Sequence, residues 1–178
     1  MAGAAQIRIA GPEDAAAIAT VHCQAWRETY RGMLPDAMVD GLGPEEAETK
    51  WALRLAPESS DEVFLATDRA GTPLGFASGK PSDEPTAPDA GLLDTLYLLR
   101  AGQGLGLGRR LLARVADGLT AAGFETMIVV VHADNPAAAF YAAMGAERLL
   151  ARERLFRGHR CPEILYRWPL PLFASQGV

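Results

Sequence analysis

Gln103-Gly104-Leu105-Gly106-Leu107-Gly108-Arg109 separates an apolar segment at 92–99 from a stretch of helical spacing that runs to 122. Glycines let a chain turn tightly and let its backbone approach a ligand closely. A helix opening directly after them presents unpaired N–H groups and the positive end of its dipole. Together these features suit a phosphate or pyrophosphate. Charge-assisted hydrogen bonds contribute about 1.5–3 kcal/mol each, so three or four anchor a nucleotide-like cofactor. Glycine at 102, 104, 106 and 108 is also more than a turn requires.

Two familiar phosphate loops are excluded. A dinucleotide fingerprint beginning at Gly104 would place its third glycine at Arg109, and no Gly-Lys-Ser/Thr occurs anywhere. Outward from the loop, the β-branched run Ile128-Val129-Val130-Val131 suits a strand at 126–132 buried on both faces. With 92–99 it encloses the glycine loop and its helix, which gives one parallel pairing through a crossover. Upstream, a strand at 6–10 precedes a helix opened by Pro12 and ending near Tyr30. Proline-opened helices follow at 35–42 and 44–55, then a hairpin of strands at 63–67 and 74–79. Downstream, a short helix at 136–144 closes at Gly145, and strands follow at about 147–156 and 163–168. The order β-α-α-α-β-β-β-α-β-α-β-β predicts an α+β (mixed α/β) fold. Its central twisted sheet is mostly antiparallel, with one parallel pair at the cofactor cleft and helices flanking it. One domain spans 1–178, with a core at about 6–168 and a short tail at 171–178.

The chain also resembles a known family. Leu96-Tyr97-Leu98 followed by Gln103-Gly104-Leu105-Gly106-Leu107-Gly108-Arg109 is similar to the acetyl-CoA motif of GNAT acetyltransferases, an apolar strand end and a Gln/Arg-x-x-Gly-x-Gly loop. Asn135-Pro136 with Ala139-Phe140-Tyr141 and Met144-Gly145 resembles the family's "N…A…FY…G" helix. Trp26-Arg27-Glu28-Thr29-Tyr30-Arg31-Gly32-Met33-Leu34-Pro35 resembles a subgroup opening, W-R-x-x-Y-R-G-L-L-P. The resemblance spans roughly residues 6 to 168. It implies that Leu96, Tyr97 and Leu98 offer backbone groups to a pantetheine arm. It implies that Gln103, Gly104, Leu105, Gly106, Leu107, Gly108 and Arg109 cradle the pyrophosphate, that Asn135 positions the cofactor, and that Tyr141 faces the sulfur. The chain departs from the family in an Asn135–Tyr141 spacing one residue short, Ala146 where phenylalanine is usual, and Arg100 where proline is usual.

The implied reaction moves an acetyl group from acetyl-CoA, as cosubstrate, to a primary amine of a small molecule or peptide. A lysine-like amine is neutral about once in 2,500 at pH 7, a cost of roughly 4–5 kcal/mol. The leaving thiolate needs a proton, and a tyrosine of pKa near 10 can supply it to a group near 8.5 when well placed. Tyr141 takes that role. Family members often place a glutamate base at the positions of Leu92 or Val130, and both are apolar here. Asp94, two residues past Leu92 on the same strand face, is the candidate base or water-chain member. Glu28 and Tyr30 are alternatives. Trp26, Glu28, Tyr30 and Met33 are candidates for the acceptor pocket. His22 reads as a satisfied helix residue, and His159 as part of an exposed hairpin turn.

Composition bounds the rest. A net charge of −5 over 178 residues argues against nucleic-acid and membrane partners, which need a basic footprint. Cys23 and Cys161 sit in no metal-ligand spacing, so no metal is expected and both read as free thiols of a cytoplasmic protein. The first ten residues lack signal-peptide form. A homodimer is compatible with the chain. The competing reading is a non-catalytic acyl-CoA-binding sensor or regulatory module of the same fold, suggested by the missing glutamate. A nucleotide-binding protein of another fold is weakened by the failed fingerprints.

Overall fold

The computed structural model of the protein describes residues 5–172. Positions 173–178 of the expected tail lie outside the described residues, as do positions 1–4 of the expected leaderless N-terminus. The elements are β1 (Gln6–Ile9), α1 (Ala15–Tyr30), α2 (Asp36–Asp40), α3 (Pro44–Arg54), β2 (Glu62–Thr67), β3 (Pro73–Pro81) and β4 (Gly91–Leu98). They continue with α4 (Leu107–Ala121), β5 (Thr126–His132), α5 (Ala137–Ala143), β6 (Glu147–Phe156) and β7 (His159–Pro169). The order and type follow the sequence reading, with a short 3-10 turn at Pro12–Asp14 leading into α1. There the Asp14 carboxylate accepts from the Gly11 N–H at 2.9 Å and from both Arg8 terminal nitrogens, at 2.6 and 2.7 Å.

The strands form one seven-stranded sheet in the order β1-β2-β3-β4-β5-β7-β6. Neighbours are antiparallel except β4 and β5, which are parallel. Helix α4 carries an apolar stripe, Leu107, Leu111, Leu112, Val115 and Leu119, at the i, i+4, i+8 spacing of a helix with one buried face. It packs on one side of the sheet with Phe64 and Ala66 of β2. Helices α1 and α3 cover the other side, where Ile18 and Trp51 meet Val63 and Leu65. The alternation along β2 therefore feeds two cores, and each strand residue belongs to one of them by parity.

One boundary differs from expectation. β7 begins at His159, four residues before the expected 163, and so runs through Pro162, a residue that cannot donate to a ladder. β5 ends opposite Glu163, at His132. The missing Pro162 N–H therefore lies beyond the β5 ladder and leaves no bond unmade there, while the Pro162 carbonyl accepts from Ala133 N–H at 2.8 Å. His159 pairs with Phe156 across a two-residue turn, Arg157-Gly158, with φ of 49° and 80°. His159 is thus a half-buried strand residue and lies outside the turn.

The parallel pair creates the cleft. β4 and β5 pair only at Gly91↔Met127 and Leu92↔Ile128. Beyond these two positions β4 continues to Leu98, bonded on its other edge to β3, and β5 continues to His132, bonded on its other edge to β7. The strands part, and the β5-facing edge of β4 is left without a strand partner over 93–98.

Candidate active site

A cavity of about 570 Å³ opens where β4 and β5 part. Its walls come from β4, the glycine loop, the start of α5 and the end of α1. Three predictions of cofactor-side residues meet there: the strand residues Leu96, Tyr97 and Leu98; the loop residues Gln103, Gly104, Gly106, Leu107, Gly108 and Arg109; and Asn135. Leu105, predicted with them, points outward and is half exposed.

The loop's conformation depends on its glycines. Gly104 and Gly106 both have φ of +72°, and a Cβ built on either would meet nothing within 4 Å. The backbone is therefore in the left-handed region on its open side, a conformation that is cheap only for glycine. The first hydrogen bond of the α4 ladder runs from Arg110 N–H to the Gly106 carbonyl, at 3.2 Å. The amides of Gly106, Leu107 and Gly108, which precede it, consequently stand before the ladder's first bond. Gln103 Nε2 donates to the Leu98 carbonyl at 3.2 Å and ties the loop to the end of β4.

At the opposite end, Glu28 and Met33 line the cavity as expected for an acceptor pocket. Glu28 Oε1 accepts from Gln24 Nε2 at 3.0 Å, whereas Oε2 is buried and accepts no hydrogen bond. Trp26 and Tyr30 stand behind this wall, rings 4.3 Å apart, packed toward Leu34, Val39 and Cys161. Trp26 Nε1 is buried without an acceptor. Burial pushes the Tyr30 phenol up, opposed by hydrogen bonding to the side chains of Tyr97 and Asn135. Burial, and then the neighbouring Tyr30, hold the Tyr97 phenol well above the usual tyrosine range.

Tyr141 is buried among aromatics, 5.5 Å from the Phe140 ring and 5.7 Å from the Trp168 ring. Its neighbour Phe140 lines the cavity and Tyr141 does not. Burial raises the Tyr141 phenol above its ordinary range, with the Tyr30 phenol adding to the shift. Tyr30 lies close enough to both Tyr97 and Tyr141 to perturb each.

Asp94 stands apart from the cavity. Its carboxylate pairs with Arg54 Nη2 at 2.7 Å and with Lys80 Nζ at 3.5 Å. Arg54 also pairs with Asp61 and donates to Ser78 Oγ at 3.1 Å. Neither Asp94 nor its partners Arg54 and Lys80 line the cavity. His22 is likewise committed, accepting from Trp51 Nε1 at 3.1 Å, and burial pushes its imidazole down to about 4. The buried His132 accepts from the Asp134 N–H at 3.2 Å.

Thr29, Arg100, Pro136, Ala137 and Phe140 also line the cavity and were not assigned to it from sequence. Arg100 carried a signal, since it stands where the motif usually has proline. Phe140 carried one too, quoted beside Tyr141: a Cβ on Gly108 would come within 3.4 Å of its ring.

Comparison with known proteins agrees with this geometry. Residues 22–146 match the model of the "Acetyltransferase (GNAT) family". The chain belongs to that family. Among GNAT relatives, the Bacillus subtilis protein named "Uncharacterized N-acetyltransferase YuaI" is 37% identical over 163 residues, 92% of each chain. Two solved GNAT folds are also similar. A GCN5-related N-acetyltransferase from Rhodopseudomonas palustris has a TM-score of 0.74 at 23% identity, covering 96% of this chain and 98% of that one. The putative acetyltransferase yncA from Salmonella typhimurium, solved with acetyl-CoA, has a TM-score of 0.70 at 20% identity, covering 98% of both chains. Among the described residues no helix is long and apolar enough to cross a membrane, and no group of three or more His, Cys, Asp or Glu side chains could hold a metal ion.

Proposed function

We propose that this GNAT protein transfers the acetyl group of acetyl-CoA to a primary amine of a small molecule or peptide, by direct attack in a ternary complex. The observation that carries this reading is the cleft itself: the unpaired β4 edge at 93–98 leads to a glycine loop whose open side faces empty space. The residues present fit the cofactor. The loop and first-turn amides of α4, with Arg100 and Arg109 lining the same end, suit a pyrophosphate. The unpartnered strand edge suits the amides of a pantetheine arm. When bound, acetyl-CoA supplies an activated thioester carbonyl.

In the reaction the amine nitrogen bonds to the carbonyl carbon and the carbon–sulfur bond breaks. One proton leaves the ammonium before attack and a second leaves the nitrogen afterwards. One reaches the departing sulfur and the other is released to solvent. Tyr141 is the proposed donor to the sulfur. Burial keeps its phenol protonated through the neutral range, so it enters as a donor and not as a base. The ion-paired Asp94 takes no part in proton removal in this reading. The subgroup marked by the Trp26–Pro35 stretch, a cytoplasmic setting for the two buried free thiols, and a homodimer belong to the same proposal.

Calorimetric titration with acetyl-CoA, with NAD as control, tests the cofactor. Thiol release with a panel of amines then tests the chemistry. Absence of acetyl-CoA binding would overturn the assignment. Binding with no amine-dependent thiol release would instead support the non-catalytic sensor.

A further inference from the structure

The sheet ends on a strand with a free edge. β6 is ten residues long, lies beyond β7, and keeps every residue but Leu150 and Arg152 exposed. The strand at the opposite edge, β1, has only four residues. A long edge strand presents a row of N–H and C=O groups without ladder partners, and natural sheets shorten it, break it with proline or guard it with charge. β6 contains no proline, and Leu149, Leu155 and Phe156 are half of the six large hydrophobic side chains exposed among the described residues. Its guard is charge, in the order Glu147, Arg148, Arg152, Glu153, Arg154.

Those charges complement a second copy of the same strand. Two identical strands paired antiparallel across a two-fold axis normal to their sheet set residues of one face opposite each other. In an unbroken strand Glu147 and Arg154 would stand on different faces. The register of β6 slips between Arg148 and Leu150, leaving Leu149 without a partner on β7, and this irregularity resets the alternation. By their β7 partners, Glu147, Leu150, Arg152 and Arg154 share one face, and Arg148, Ala151 and Glu153 share the other. A two-fold axis at Ala151 then sets Glu147 opposite Arg154 and Arg148 opposite Glu153, each pair formed twice. Moving the axis to Arg152, Glu153 or Arg154 sets that residue opposite its own copy, and like charges directly opposite destabilise a ladder. Moving it to Leu150 shortens the overlap and keeps only a Glu147–Arg152 pair. The ions are also available. Among the described residues Arg148 and Arg154 form no ion pair within the chain, while Glu147 and Glu153 each hold one exposed arginine, Arg167 at 2.7 Å and Arg160 at 2.9 Å. A carboxylate has room for a second donor.

We infer that the free edge of β6 is the interface of a two-fold homodimer, centred on Ala151, in which two seven-stranded sheets become one continuous sheet. The occupant of the edge is a second copy of this chain. The backbone ladder supplies the attachment, as in any strand addition. Exposed ion pairs contribute little each, so here they select the register and the partner, repelling strands of other charge order. The inference rests on the homodimer proposed above and gives it a surface. It does not depend on the acetyl transfer.

Sedimentation equilibrium and amide hydrogen exchange test it. The wild-type protein should sediment at twice the chain mass, and amides within 147–154 should exchange more slowly in the dimer than after dilution to monomer. Arg148→Glu alone sets carboxylates opposite one another, and Glu153→Arg alone does the same with guanidinium groups, so each should raise the dimer dissociation constant by at least about tenfold. An equimolar mixture of the two variants restores both opposite-charge pairs and should dimerise as the wild type does, which also shows that each variant is folded. A wild-type monomer would overturn the inference and the homodimer together. A wild-type dimer whose 147–154 amides gain no protection, whose constant is unchanged in both variants, or whose folded variants fail to dimerise when mixed would overturn the inference and leave the homodimer standing. Should either variant be unfolded by circular dichroism, exchange in the wild-type protein decides alone.

Discussion

Asp94 Oδ2 lies 2.7 Å from Arg54 Nη2, which joins the central strand β4 to the end of α3. The pair is about three-quarters buried on each side and is reinforced by Lys80, by Asp61 and by a Ser78–Thr95 hydroxyl pair at 2.6 Å. Removing the Asp94 charge takes one partner from each of two partly buried cations, although Arg54 keeps Asp61 and Lys80 keeps Asp83. Asp94→Asn should therefore lower unfolding stability by about 1–3 kcal/mol in a urea titration. Turnover on the best acceptor should stay within about threefold at every pH. A rate loss of roughly 100-fold, deepest at low pH, would return Asp94 to the role of base.

Gly106→Val should leave a folded protein that no longer binds acetyl-CoA. The added side chain meets no protein atom within 4 Å, so packing is undisturbed, but φ of +72° strains any β-branched residue. The expected stability loss is about 1–2 kcal/mol. The larger effect is on the ligand, because the side chain fills the space in front of the loop amides. Calorimetry should show affinity for acetyl-CoA falling by at least about tenfold, the equivalent of ~1.4 kcal/mol. Unchanged affinity would remove the pyrophosphate assignment.

Tyr141→Phe keeps the ring against Trp168 and Phe140 and deletes only the hydroxyl. If that hydroxyl protonates the departing sulfur, kcat should fall by on the order of 100-fold, with little change in acetyl-CoA affinity. A purely structural tyrosine would give a different pattern, a stability loss of about 1 kcal/mol and an unaltered rate. Pre-steady-state turnover with a confirmed acceptor separates the two.

Much of the fold was legible because local pattern and tertiary role coincide. The run Ile128-Val129-Val130-Val131 reads as a strand buried on both faces and is found at β5 with the expected limits. The glycine loop was legible for a related reason, since the residues that bend it are the residues that open it to a ligand. Asp94 was not legible, because its partners lie 40 positions upstream at Arg54 and 14 upstream at Lys80 and only the sheet brings them together. The unsatisfied oxygen of Glu28 was equally hidden, since satisfaction is a property of three-dimensional neighbours. The start of β7 was masked by Pro162, whose missing donor has no consequence only because β5 stops at His132.

Acid should destabilise the protein through Glu84. This carboxylate is 4% exposed and receives both terminal nitrogens of Arg152, at 2.8 and 2.7 Å. Hydrogen bonding from Arg152, and then from Thr86, pulls it down to about 2 against the cost of burial. A carboxyl whose folded value is depressed contributes fully above its unfolded value near 4.5 and loses that contribution as pH falls toward 2. The upper bound is roughly 3 kcal/mol. The stability gap between wild type and Glu84→Gln should be about 1–3 kcal/mol at pH 7 and shrink steadily from pH 5 to pH 2. A gap that does not vary with pH would show that the pair contributes no charge-dependent stability.

The two rungs that join β4 to β5 make the sheet two ribbons riveted at one end. Strands β1 to β4 form one ribbon, β5 to β7 the other, and only Gly91↔Met127 and Leu92↔Ile128 cross the seam. The open lip of β4 therefore lacks a strand partner in the middle of the sheet, and its end borders the cleft. A pantetheine laid against that lip would act as the absent rungs and stitch the ribbons together, so the cosubstrate would brace the body that binds it.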